Sequence, residues 1–158
     1  MKLFKKKEKY IKSYATGTVI SITKVPDEVF SKKMMGDGIA IYPKDNKILS
    51  PCEGIVTAII PTSQHAVGIT LDNGLELLIH VGLDTVNIKQ KIFTTLVQID
   101  DCVSCGQTLI EFEKDDLQKE GFSDITMCVV TSKGNSKGFE IMPVTEAVAN
   151  ETIIMRYQ

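Results

Sequence analysis

Hydrophobic residues along this chain fall into short runs separated by turn-forming residues. Gly17–Ile22 (GTVISI) and Gly54–Ile60 (GIVTAII) are rich in β-branched side chains, which suit a pleated, half-buried surface. Ala66–Leu71, Leu75–Val81, Gln107–Phe112 and Ile125–Thr131 repeat that character, and Ile88–Val97 does so less regularly. Gly, Pro, Asn and Asp lie between the runs, where tight turns need them. Only two segments read as helical. In residues 26–35 (PDEVFSKKMM), Val29, Phe30 and Met34 make one short apolar face that ends at Gly36, and residues 114–120 (KDDLQKE) are stopped by Gly121. Closely spaced strands without βαβ alternation predict an all-β protein, an antiparallel β-sandwich or barrel with one or two short helices. SYATGTVISI (13–22) also echoes SPCEGIVTAI (50–59), sharing Ser, a Gly four places on and a branched strand. The echo suggests pseudo-symmetric halves.

Composition narrows the class. A chain of 158 residues, 43% hydrophobic and 24% charged, is one ordinary globular domain. No apolar run approaches the ~18–20 residues that span a bilayer, which makes the cytoplasm the expected location. Four cysteines are too few for a disulfide scaffold. Residues 1–12 (MKLFKKKEKYIK) carry +5, leaving −7 on the rest, so a uniformly basic nucleic-acid binder is excluded. The expected division is a basic segment 1–12 and a domain 13–158. In the segment, Leu3, Phe4, Tyr10 and Ile11 share one helical face with lysines around it, as in a membrane-surface helix. A solvated, disordered tail is the other reading.

The chain has only two histidines, His65 and His80, at the ends of two strand-like runs around Asp72-Asn73-Gly74. A two-residue loop at Asp72-Asn73 sets His65 opposite His80, and one at Asn73-Gly74 sets His80 opposite Val67 with His65 diagonal. Both registers put the imidazoles on one face. A three-residue loop would put them on opposite faces. Paired imidazoles suit metal binding, proton transfer or nucleophilic phosphoryl chemistry. Cys102-Val-Ser-Cys105 together with the histidines could be read as a Cys₂His₂ zinc site, but a single C-x₂-C before Gly106 fits a turn between strands better.

The residues around His80 carry a more specific signal. Gly74-Leu-Glu-Leu-Leu-Ile-His80-Val-Gly82-Leu-Asp84-Thr85-Val86 resembles the phosphorylation motif of glucose-class enzyme IIA proteins of the sugar phosphotransferase system. GDGIAI (36–41), Pro51 with Gly54, His65-Ala66 and GQTLIEF (106–112) follow in the same order and spacing, so the resemblance covers roughly residues 13–155. It implies an antiparallel β-sandwich that needs no cofactor. The implied activity is a phosphotransferase component that takes a phosphoryl group from HPr onto His80 and passes it to the IIB cysteine of a IIB/IIC sugar permease. It further implies that the phosphate sits on Nε2, with Nδ1 held by the Gly82 carbonyl. His65 would orient the phosphoryl group, its ring fixed by a hydroxyl of Thr62 or Ser63. Asp37 and Asp84 would meet basic partner side chains, and Gly82, Leu78 and Val86 would border the docking face, Gly82 by letting a partner backbone come close. A regulatory module whose His65/His80 face docks metabolic proteins, or shares a zinc ion with one, is the alternative. The chain departs from the family's pattern in three places, one of them the absence of a common proline near Met127. Pro61-Thr-Ser-Gln-His65 is one residue longer than usual, and Lys89-Gln-Lys91-Ile-Phe93 replaces Lys-Gly-Glu-Gly-Phe.

Overall fold

A computed structural model of the chain describes residues 9–85, 88 and 91–158. Its first half contains β1 (Lys9–Lys12), β2 (Gly17–Ser21), a 3-10 turn (Ile22–Lys24), α1 (Glu28–Ser31), β3 (Asp37–Pro43), β4 (Lys47–Leu49) and β5 (Gly54–Ile59). The hairpin β6 (Ala66–Thr70) and β7 (Glu76–Val81) follows, then β8 (Phe93–Thr95), β9 (Cys102–Val103) and β10 (Thr108–Phe112). After α2 (Lys114–Lys119) come β11 (Thr126–Ser132), β12 (Phe139–Ile141), β13 (Glu146–Ala147) and β14 (Ile153–Tyr157). Every strand pairing is antiparallel.

The large sheet has the order β13-β2-β3-β11-β7-β6-β5-β9, and β4-β10-β8 and β1-β14-β12 form two smaller sheets. Alternation gives each strand of the large sheet two faces. One face turns Val19, Ile39, Ile41, Val67, Ile79 and Val81 toward Ile48, Ile110 and Phe112 of the second sheet and Ile11 and Met155 of the third. The three sheets therefore share one core, the expected β-sandwich. The other face carries a second, smaller apolar cluster in which the 3-10 turn and α1 cover the sheet with Ile22, Val25 and Phe30.

The cover forms where the sequence places it, but it is shorter than predicted. Pro26 favours extended backbone at Val25 (ψ 131°), and the Asp27 carboxylate caps α1 by accepting the Val29 N–H at 2.9 Å. α1 ends by Lys33, whose φ is +56°. Ala40, Met127 and Val129 of the sheet lie beneath the cover.

The sequence echo has a structural counterpart. Ser13 and Ser50 are both fully buried, and each hydroxyl donates to the carbonyl two residues on, Ala15 at 2.6 Å and Cys52 at 2.7 Å. Each serine thus leads the chain by the same local bond into a strand that begins with glycine, β2 or β5.

The last four residues of the expected segment 1–12 form a strand. β1 pairs with β14, with Ile11 buried and Tyr10 half exposed. Tyr10 and Ile11 therefore alternate across a strand and do not share a helical face. Leu3 and Phe4 lie outside the described residues. Among the described residues no helix is long and apolar enough to cross a membrane.

Candidate functional site

The site is built on one row of the large sheet. Ile20, Ala40, Met127, His80 and Ala66 face one another across β2, β3, β11, β7 and β6, on the side covered by α1. Phe30 packs against the His80 ring, with centroids 5.1 Å apart.

The hairpin register differs from both two-residue alternatives. β6 and β7 pair with Ala66 opposite His80 and Thr70 opposite Glu76. The loop is the three residues Asp72-Asn73-Gly74, closed by Gly74 N–H to Leu71 C=O at 2.9 Å, with Gly74 at φ +84°. That conformation costs glycine little and a residue with a Cβ much more. Strict alternation would then put His65 on the face opposite His80. The rings meet nonetheless, with His65 Nε2 3.0 Å from His80 Nε2, centroids 4.5 Å apart and planes at 83°.

The cause lies just before β6. Gln64 has φ +55°, and Thr95 of β8 pins it by donating its N–H to the Gln64 side-chain oxygen and its hydroxyl to the Gln64 carbonyl, each at 3.0 Å. His65 therefore enters from a turned backbone, although its carbonyl still accepts the Val81 N–H at 2.8 Å. Its ring touches Phe93 at 5.9 Å as well as His80.

Ser63 supplies the orienting hydroxyl, with Oγ 2.5 Å from His65 Nδ1. Thr62 is exposed and makes no such contact. His65 is 4% exposed, and burial lowers its pKa. His80 is lowered to about 4, chiefly by burial and then by His65, while the Gly82 backbone and the Asp27 carboxylate pull the other way. Both rings are therefore neutral at pH 7, and each carries one proton.

The proton positions follow from the neighbours. The short Nε2–Nε2 contact requires one ring to donate and the other to accept. No hydrogen bond of normal geometry reaches His80 Nδ1, which is buried without a partner. With Nδ1 protonated, His80 Nε2 keeps its lone pair and accepts from His65 Nε2–H. The Ser63 hydroxyl then donates to His65 Nδ1.

The other expected residues are distributed unevenly. Leu78 shares the His80 face and is partly buried against the α1 cluster, and Asp84 is exposed at φ +56°. Gly82 is buried at φ +77°, and a Cβ there would lie 2.9 Å from Thr85 Cγ2 and 3.0 Å from the Ser123 carbonyl. Its own chain is enough to require the glycine. Val86 lies outside the described residues. Asp37 starts β3 three residues before the His80 row, ~10 Å along the strand, and pairs with Lys33 at 3.4 Å. The acid whose charge reaches His80 is Asp27, missed in the sequence because Pro-Asp ahead of a short helix reads only as a cap. Cys102 and Cys105 line a cavity with Lys9, Lys12, Cys52 and Asp72 beside the hairpin loop, at the end of β6 away from the histidines. Among the described residues no cluster of three or more His, Cys, Asp or Glu is placed to hold a metal.

Known proteins resemble this chain along most of its length. The PTS system glucose-specific EIIA component of Staphylococcus epidermidis is 40% identical over 153 residues, covering 96% of this chain and 92% of that protein. The Halalkalibacterium halodurans protein of the same description is 40% identical over 148 residues, 94% of this chain and 85% of its own length. In the glucose-specific EIICBA component of Staphylococcus saprophyticus, 40% identity over 138 residues covers 87% of this chain but 20% of the longer protein. The solved glucose permease IIA from Mycoplasma capricolum superposes with a TM-score of 0.86 at 33% identity, covering 99% of both chains. The family described as phosphoenolpyruvate-dependent sugar phosphotransferase system, EIIA 1, matches residues 9–136. By sequence along nearly its full length and by fold, the chain belongs to that phosphotransferase-system EIIA family.

Proposed function

We propose that this protein carries a phosphoryl group on His80 Nε2, accepting it from phospho-HPr and donating it to the cysteine of a IIB domain of a sugar permease, in the cytoplasm. The observation that carries the reading is the 3.0 Å approach of His65 Nε2 to His80 Nε2, between two rings that burial keeps neutral. A neutral His80 with its proton on Nδ1 offers an Nε2 lone pair at physiological pH.

In acceptance, that lone pair forms an N–P bond as the donor's N–P bond breaks, and His80 Nδ1 keeps its proton. The His65 Nε2–H that faced the lone pair turns to a phosphoryl oxygen. In donation, a thiolate attacks phosphorus and the bonding pair returns to Nε2. Phe30 holds the His80 ring while Ser63 holds that of His65. Asp84 and Asp27 offer negative charge at the rim to a basic donor surface, and Leu78 contributes apolar surface beside them.

Incubation with phosphoenolpyruvate, enzyme I and HPr tests the reading. The intact protein should gain the mass of one acid-labile phosphoryl group, and His80→Gln should gain none while keeping its fold. Full labelling of that variant would refute the assignment.

A further inference from the structure

A second cavity lies beside the turn that leads into His65. It has a volume of about 250 Å³ and is lined by Thr62, Ser63, Gln64, Thr85, Lys91 and Phe93, among others. No carboxylate is among its described lining residues, and Lys91 supplies a positive charge. The Thr85 side chain is 2% exposed, and its hydroxyl is buried without a hydrogen-bond partner. Gln64 is already bonded to Thr95, whereas Ser63 Oγ, on the cavity wall, contacts His65 Nδ1.

The hydroxyls of Thr62, Ser63 and Thr85 and the Lys91 ammonium, set beside the apolar Ile88, Ile92 and Phe93, match the needs of a tetrahedral oxyanion carried on a small organic group. We propose that this cavity binds the phosphate group of a small metabolite, and that its occupancy switches off phosphoryl acceptance at His80. The inference rests on the carrier reading of His80. Lys91, which distinguishes this segment from the pattern it otherwise resembles, supplies the charge. Thr85 supplies the donor that its own chain leaves unpaired.

The coupling runs through Ser63. With the cavity unliganded, the Ser63 hydroxyl donates to His65 Nδ1, so the His65 proton sits on Nε2 and points at the His80 lone pair. A bound phosphate oxygen takes the Ser63 proton as its own hydrogen bond. Ser63 Oγ then accepts from His65 Nδ1–H, and His65 Nε2 becomes an acceptor. His80 meets it with Nε2–H and loses the attacking lone pair. Each ring holds one proton before and after, so only the tautomers change.

The test uses the full chain titrated with inorganic phosphate and, separately, with glycerol phosphate. Amide and imidazole nitrogen-15 NMR and calorimetry follow binding, alongside the rate of labelling by phospho-HPr. The expected result is saturable binding that shifts Ser63, Gln64 and Thr85 amides and moves the His65 proton from Nε2 to Nδ1. Lys91→Glu and Thr85→Val should each weaken binding by about tenfold or more, the size of one charge-assisted or buried hydrogen bond. Labelling of the wild type should slow as the ligand saturates, while unliganded Lys91→Glu labels at the wild-type rate and ignores the ligand. Tighter binding of glycerol phosphate names an ester as occupant, and the reverse names free phosphate. Binding that is absent, unchanged in both variants, or lost in His80→Gln overturns the site, and saturation without slower labelling overturns the coupling. Binding is read without phosphotransfer, so failure of the carrier reading would show separately, as labelling of His80→Gln.

Discussion

Acid should destabilise this protein through the imidazole that makes it a carrier. His80 is lowered to about 4 from an ordinary value of 6.5, chiefly because burial disfavours the imidazolium. Between these values the unfolded chain binds a proton that the folded chain refuses. Stability therefore rises with pH across the window and is lost as pH falls through it. Lowering the pH from 7 to 5 should remove about 2 kcal/mol through His80 alone. With a urea dependence of ~1–3 kcal/mol per molar, the midpoint should move down by roughly 1 M. Asp72 and His65, both lowered, act in the same direction, so the diagnostic quantity is the difference between wild type and His80→Gln. Urea unfolding followed by circular dichroism at pH 7, 6 and 5 should show the wild type falling more steeply, the gap growing by ~2 kcal/mol. Parallel losses in the two proteins would mean that the His80 ring is not held neutral by burial, and the argument for its lone pair would fail with it.

Two further outcomes test the positioning of the site. Ser63→Ala should slow labelling by about tenfold, the worth of one hydrogen bond that sets a tautomer, while Thr62→Ala should leave it unchanged; equal effects in single-turnover kinetics would remove Ser63 from the role given it here. Gly82→Ala should cost ~1–3 kcal/mol, because alanine must adopt φ +77° and meet Thr85 and the Ser123 carbonyl; an unchanged thermal midpoint would contradict that strain.

Much of this protein is decided locally and is legible in the chain. The β-branched runs at 17–22, 54–60, 66–71, 75–81, 107–112 and 125–131 all contain strands, because side-chain shape and alternation act over a few residues. β3 was harder to see: Asp37–Pro43 has polar and small residues at its start, and its burial comes from lying between β2 and β11. The short strands β1, β9, β12 and β13 likewise exist only through their partners. The nucleophile was legible because a motif names one histidine.

The meeting of the two rings was not legible for the reason first expected. Alternation in a hairpin with a three-residue loop predicts opposite faces, and the turned backbone at Gln64 reverses that outcome. The extra residue in Pro61–His65 and the Gln64 N–H bond to the Ile60 carbonyl at 3.0 Å mark a local turn, but the bonds that hold Gln64 against β8 come from Thr95, thirty-one residues away. The choice of Ser63 over Thr62 has the same origin. Sequence spacing sets which residues can reach a place, and long-range packing and hydrogen bonding set which one stands there.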